Sequence, residues 1–309
     1  MLSVKTNSLL AHLSVLSANL IYGANYSIAK QVMPEFIKPF GFIVIRVVVT
    51  AFLFWLISLF IKDKKVEKED LPRLFFCALF GVAINQLLFF KGLDLTSPIN
   101  ASLMMTTNPI MVLLVAGFLI REKITLRKIA GIVIGISGAS LLLLWGKEFS
   151  FQRASVLGDA FVLINSLSFG VFLIIVKPLM QKYNTLTVMK WVFLFGSILV
   201  LPFGYNEFNA IQWSSFTTDI WLATAYVVIV VTSLAYILNV YALKNLSPSS
   251  VSAYIYLQPL FAAIFAIMLG KDHLNIIHFL SALLIFTGVY LVTSGKFSSI
   301  KDRFISLKK

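Results

Sequence analysis

The feature that most constrains this chain is a succession of apolar runs, each about twenty residues long, with short polar joins between them. Hydrocarbon offers no partners to backbone N–H and C=O groups. A run that crosses it must therefore satisfy those groups within itself, which only a helix or a closed barrel does. The runs are long enough to cross ~30 Å of hydrocarbon as helices at ~1.5 Å per residue. Ten such spans are expected, near residues 9–29, 39–61, 72–93, 96–120, 127–145, 156–176, 186–205, 219–241, 249–269 and 275–294. With 59% hydrophobic and only 13% charged residues, no soluble domain is left over. The fold class is an all-α polytopic membrane protein.

The chain also repeats itself. Residues 95–109 read L-T-S-P-I-N-A-S-L-M-M-T-T-N-P, and residues 245–259 read N-L-S-P-S-S-V-S-A-Y-I-Y-L-Q-P. Pro98 matches Pro248, Pro109 matches Pro259, Glu122 matches Asp272 and Gly138 matches Gly288, all without a gap. At a slightly different offset, His12 to Lys30 matches Asp159 to Lys177. The halves divide at about 1–150 and 151–309, with five spans each. An odd number of spans makes the second copy enter the membrane from the opposite side. The expected architecture is therefore ten transmembrane helices as two inverted five-helix repeats around a pseudo-two-fold axis in the membrane plane.

The net charge of +13 is a topology signal rather than a nucleic-acid footprint. With the N-terminus in the cytoplasm, nineteen of the 26 Lys and Arg residues fall in inside segments and six in outside segments. Arg46 lies within a span. Positive residues collect on the cytoplasmic side, which places both termini there. The same charge attracts anionic lipid headgroups. The charge run from Lys62 to Asp70 reads as a solvated loop. The single cysteine, Cys77, reads as a packing residue.

Polar side chains within spans face other helices or a cavity. In the first span His12, Asn19 and Tyr26 share one face, with Tyr22 and Asn25 beside them. In the sixth, Asp159, Ser166 and Phe169 share a face next to Asn165. Asn85, Gln86 and Phe89 in span 3, Tyr236 and Asn239 in span 8, and Tyr254 in span 9 add amides, hydroxyls and aromatic walls. Pro109 and Pro259 stand mid-span behind Asn108 and Gln258. Lacking an N–H, each frees a carbonyl, that of Met105 or Ile255, and each is read as a structural or gating kink. The expected central cavity is therefore bounded by Asn19, Tyr22, Asn25, Asn85, Gln86, Phe89, Met105, Asn108, Asn165, Phe169, Tyr236, Asn239, Tyr254 and Gln258. It suits a small amphipathic organic solute. Interhelical hydrogen bonding accounts equally well for any one of these residues. Arg46 is the sharpest single charge: a buried Arg needs a carboxylate, carbonyls or an anionic ligand. Its plainer readings are a salt bridge or snorkelling to the outer interface, and it is read with the prolines as structural or gating. Glu122 and Asp272 read as local ion pairs or caps. His12 and Asp159 are candidates for proton coupling, with headgroup contact the plainer reading.

In these residues the chain resembles the EamA family of the drug/metabolite transporter superfamily, over nearly its whole length. The resemblance rests on the two five-span halves, Tyr22-Gly23-Ala24-Asn25, Arg46, the Ser-Pro stretches before spans 4 and 9, and the Pro-apolar-acid pattern ending at Glu122 and Asp272. It implies a ten-helix inverted-repeat fold in the cytoplasmic membrane that exports amino acids or other metabolites, around a cavity lined mainly by spans 1, 3, 4, 6, 8 and 9. Family members often carry Trp at the place of Tyr22 and Glu at that of Asp272.

The function expected is secondary transport by alternating access, with uptake, lipid scrambling or a non-transporting membrane role as rivals. Proton antiport and facilitated diffusion both stay open. An enzyme is not expected, because neither an H-E-x-x-H pair nor a G-x-S-x-G elbow occurs. No P-loop, cofactor or metal site is read. The expected partners are a small-molecule substrate and membrane lipid, without nucleic acid, for a monomer or a homodimer.

Overall fold

The computed structural model describes residues 2–33, 35–61, 64–96, 98–145, 153–268, 273 and 275–294. Lys271 and Asp272 fall outside them, so the expectation for Asp272 lies outside the described residues.

The described residues form ten helical rods. These are α1 (Leu2–Val32), α2 (Pro39–Ser58), α3 (71–95), α4 (98–120), α5 (Leu126–Leu144), α6 (Arg153–Lys182), α7 (Thr185–Asn209), α8 (218–242), α9 (248–268) and α10 (Ile276–Thr293). The starts follow from local chemistry. Proline opens α2, α4 and α9, where a missing N–H leaves nothing unsatisfied. The Thr125, Thr217 and Ser247 hydroxyls and the Asn275 side chain accept backbone N–H bonds at the starts of α5, α8, α9 and α10. At the end of α4, Arg121 adopts a left-handed conformation (φ 50°), and the Glu122 N–H reaches back to the Ala116 carbonyl at 3.1 Å. The Arg121 N–H points to the same carbonyl, so the turn satisfies an orphan carbonyl at the helix end.

Four rods are not regular. A π-helical turn spans Leu79–Ala83 in α3, and another spans Tyr226–Leu234 in α8. α4 is interrupted between Met105 and Asn108, and a 3-10 turn, Tyr254–Tyr256, interrupts α9. Both interruptions come just before the Asn108-Pro109 and Gln258-Pro259 pairs, where proline cannot supply the i→i−4 bond.

Eight stretches among the described residues are long and apolar enough to cross a membrane, drawn from α2 through α8 and α10. α1 is a continuous helix whose apolar run is interrupted by His12, Asn19, Tyr22 and Asn25. α9 is broken by its 3-10 turn, and nearly every side chain from Pro248 to Leu260 is buried in the bundle. A helix wrapped by other helices does not need an apolar face toward lipid.

The principal helix contacts are α5·α10, α2·α7, α3·α6, α4·α6, α1·α8, α1·α9, α3·α7, α2·α8 and α4·α9. Shifting every helix number by five returns the same set of pairs. The α5·α10 seam is built from small residues. A Cβ on Gly288 would meet the Gly131 carbonyl oxygen and the Gly135 Cα, each at 2.6 Å, and one on Gly138 would meet the Ser281 carbonyl at 3.0 Å. Within lipid, such close backbone approach is a main source of helix association.

Candidate functional site

A cavity of about 400 Å³ lies between the helices. It runs from Arg46, Tyr236, Asn239 and Gln258 in the interior to Ala29 and Met33 at the end of α1, Pro39 at the start of α2, and Leu93 and Asp94 at the end of α3. It therefore reaches the end of the bundle where α1 and α3 finish. The opposite end is fastened. There Lys182 pairs with Glu67 and, at 2.6 Å, with Asp70, while the Tyr183 hydroxyl donates to the same Asp70 oxygen at 2.6 Å. The loop read as merely solvated thus ties α3 to the α6–α7 corner. Lys182 holds the Glu67 carboxyl below the usual carboxylate range, chiefly by its hydrogen bond. Nearby, the Lys177 ammonium is buried and donates to the Leu246 carbonyl at 2.7 Å. Glu122 makes the expected local ion pair, with Lys128 at 2.6 Å.

Eleven of the fourteen expected cavity residues line it: Tyr22, Asn25, Asn85, Gln86, Phe89, Met105, Asn165, Phe169, Tyr236, Asn239 and Gln258. The other three stand behind the wall. Asn19 accepts from Gln258 Nε2 at 2.8 Å and so positions a lining amide. Asn108 is fully buried and donates to the Ser166 carbonyl at 3.1 Å, joining α4 to α6. Tyr254 turns away within its 3-10 turn and meets His12 Nδ1 at 2.7 Å. Asp159 accepts from the Thr96 hydroxyl at 2.7 Å. Neither His12 nor Asp159 lines the cavity, and the two sit toward opposite ends of antiparallel helices.

The irregular turns shape the wall. In α3 the π turn presents the Phe80 carbonyl to the Ser168 hydroxyl at 2.7 Å. One turn later the Asn85 carbonyl takes the Asn165 amide at 2.5 Å. In α8 the π turn lets Thr232 and Ser233 bond the carbonyls five residues back, Val227 at 2.8 Å and Val228 at 3.0 Å. Thr232 Oγ1 then accepts from Arg46 Nε at 2.9 Å. π turns of this kind gather at functional sites. Both kinks also touch the cavity, through Met105 on α4 and Ile255 and Gln258 on α9.

Arg46 corrects two expectations. It is 6% exposed, which rules out snorkelling, and it makes no salt bridge among the described residues. It borders the cavity instead, so α2 joins the six helices that the resemblance implied. Phe90, the neighbour of Phe89 on span 3, lines the cavity as well, its ring 5.1 Å from the Arg46 guanidinium carbon. Four lining amide oxygens, on Asn25, Gln86, Asn165 and Asn239, have no hydrogen-bond partner among the described residues. A buried acceptor left alone costs about 1–3 kcal/mol, so a wall carrying four of them suits polar contents.

Known proteins agree with this architecture. The EamA-like transporter family matches residues 9–144 and 156–294, once in each half. The chain belongs to the EamA-like transporter family. It is similar to an uncharacterized transporter of Archaeoglobus fulgidus, 26% identical over 92% of this chain and 97% of that protein. It is also similar to the uncharacterized transporter YoaV of Bacillus subtilis, 26% identical over 91% and 96% of the two chains. Protein WALLS ARE THIN 1 of Arabidopsis thaliana is 24% identical over 96% of this chain and 85% of its own length. A solved crystal structure shares the fold with a TM-score of 0.74 at 17% identity, covering 92% of this chain and 96% of that one. The protein is a multi-pass membrane transporter and not an enzyme.

Proposed function

We propose that this EamA-like protein exports small amphipathic metabolites, amino acids or similar organic solutes, across the cytoplasmic membrane, with both termini in the cytoplasm. Solute binds in the central cavity, and the two halves, 1–150 and 151–309, exchange conformations to expose it to one side and then the other. The observation that carries this reading is the cavity itself. It draws polar side chains from both halves, is open toward the end holding Asp94 and is fastened at the end holding Lys182. The helix contacts that recur on a shift of five support a pseudo-two-fold pair of inverted bundles, and such pairs switch by exchanging states that differ by a few kcal/mol. Nineteen of the 26 basic residues on one side support the orientation.

Metabolite profiling of cells overproducing the chain, followed by proteoliposome flux of each hit with and without a pH gradient, tests the reading. Asn85→Ala and Asn239→Ala should each lower flux by about tenfold, the factor that one hydrogen bond of ~1.4 kcal/mol commands, with membrane insertion intact. Wild-type flux in both variants would remove the cavity from the transport path.

A further inference from the structure

Arg46 is a full positive charge in a place that offers it little. It is buried, and Nε, bound to Thr232 Oγ1 at 2.9 Å, is the one Arg46 donor with a hydrogen-bond partner among the described residues. The Phe90 and Phe42 rings, 5.1 and 5.9 Å from the guanidinium carbon, offset part of the charge. No carboxylate answers it among the described residues. Among the described residues the single acid on the cavity wall is Asp94 at the mouth, half exposed and paired with Lys91 at 3.1 Å. A buried charge is paired, hydrogen-bonded or waiting for a partner. The terminal amino groups of a guanidinium form a planar fork that matches a carboxylate in two parallel hydrogen bonds.

We infer that Arg46 receives the anionic group of the transported solute, so that the substrates are small organic acids held carboxylate-first, with their apolar body among Phe89, Phe90 and Phe169. The inference rests on the transport reading above and names its substrate class. Thr232, fixed by the π turn of α8, sets the plane of the fork. The unpartnered oxygens of Gln86 and Asn239 accept from a hydroxyl or amino group elsewhere on the solute. With no acid among the described residues of the cavity interior, a net negative solute fits better than a cation.

The test uses the full chain in phosphatidylcholine nanodiscs, where no anionic headgroup competes, with 3-phenyllactate and its neutral amide as probes. Phenyllactate should raise the thermal unfolding midpoint of the wild type, and phenyllactamide at equal concentration should not. Arg46→Lys should bind phenyllactate at least about tenfold more weakly, having lost the fork, and Arg46→Gln should not bind it. Equal shifts with acid and amide, no shift with either, or an undiminished acid response in Arg46→Gln would overturn the inference. If Arg46→Gln fails to fold, the wild-type comparison and the Arg46→Lys affinity decide. Flux separates this claim from the one beneath it. Proteoliposomes that carry the amide and exclude the acid sink the role of Arg46 while leaving the transporter reading intact.

Discussion

Substituting Gly288 by alanine is the sharpest probe of what holds this bundle together. The added Cβ would sit 2.6 Å from the Gly131 carbonyl oxygen, against about 3.4 Å for ordinary contact, so α5 and α10 must part by about 0.8 Å. A gap of that size forfeits roughly a third of each contact's ~0.15 kcal/mol well. Over a seam of about forty atom pairs the loss is on the order of 2 kcal/mol, within the ~1–3 kcal/mol known for overpacking. The folded-to-unfolded ratio should fall about thirtyfold. Gly170→Ala is the matched control, because its Cβ would meet Val112 at 3.4 Å, and it should stay within about 0.5 kcal/mol of wild type. Reversible unfolding in mixed micelles, titrated with dodecyl sulfate, measures both. The cavity wall takes no residue from α5 or α10, so flux per folded Gly288→Ala molecule should equal wild type. Equal stability of the two variants would refute the claim that backbone proximity fastens this seam.

Two further outcomes follow from the hydrogen bonds. Thr232→Val keeps the shape of the side chain but strands Arg46 Nε, and it should cost about 1.5–3 kcal/mol in the same titration; an unchanged midpoint would mean that Thr232 does not hold the guanidinium. At the fastened end, Glu67 has its pKa depressed in the fold, so its contribution is present above the unfolded value of about 4.3 and is lost as the pH falls through the lower folded value. The difference in melting temperature between wild type and Lys182→Gln, which breaks the pairs with both Glu67 and Asp70, should therefore be full at neutral pH and shrink as the pH falls below the unfolded carboxylate values of about 4; a gap that does not shrink in acid would show that Lys182 does not act through these carboxylates.

Much of this molecule is legible in its sequence, for physical reasons. Lipid forces apolar helices, so the spans stood out, and proline forces a break, so Pro109 and Pro259 marked the interruptions in α4 and α9. Face spacing found the right stretches of α1 and α6 but a row away from the wall: Tyr22, Asn25 and Asn165, beside the expected faces, line the cavity with Phe169, while His12, Asn19, Asp159 and Ser166 do not. It failed at Tyr254, where three residues of 3-10 helix turn the ring toward His12. It failed at Asn108, which the break in α4 sends to the Ser166 carbonyl. Arg46 showed as a buried charge, but its acceptor lies 186 residues away, on a π turn that has no compositional mark. The tie between Asp70 and Lys182 spans 112 residues and rests on tertiary placement alone.

The π turns at Leu79–Ala83 and Tyr226–Leu234 set a phase as well as a local shape. Each acts as one extra residue within an otherwise continuous screw, advancing everything beyond it by about 100° around the axis. Asn85 and Gln86 on one rod, and Tyr236 and Asn239 on the other, lie just past these dislocations. Both stretches of polar wall therefore depend on a counting offset: a strictly regular coil with the same side chains would aim them elsewhere.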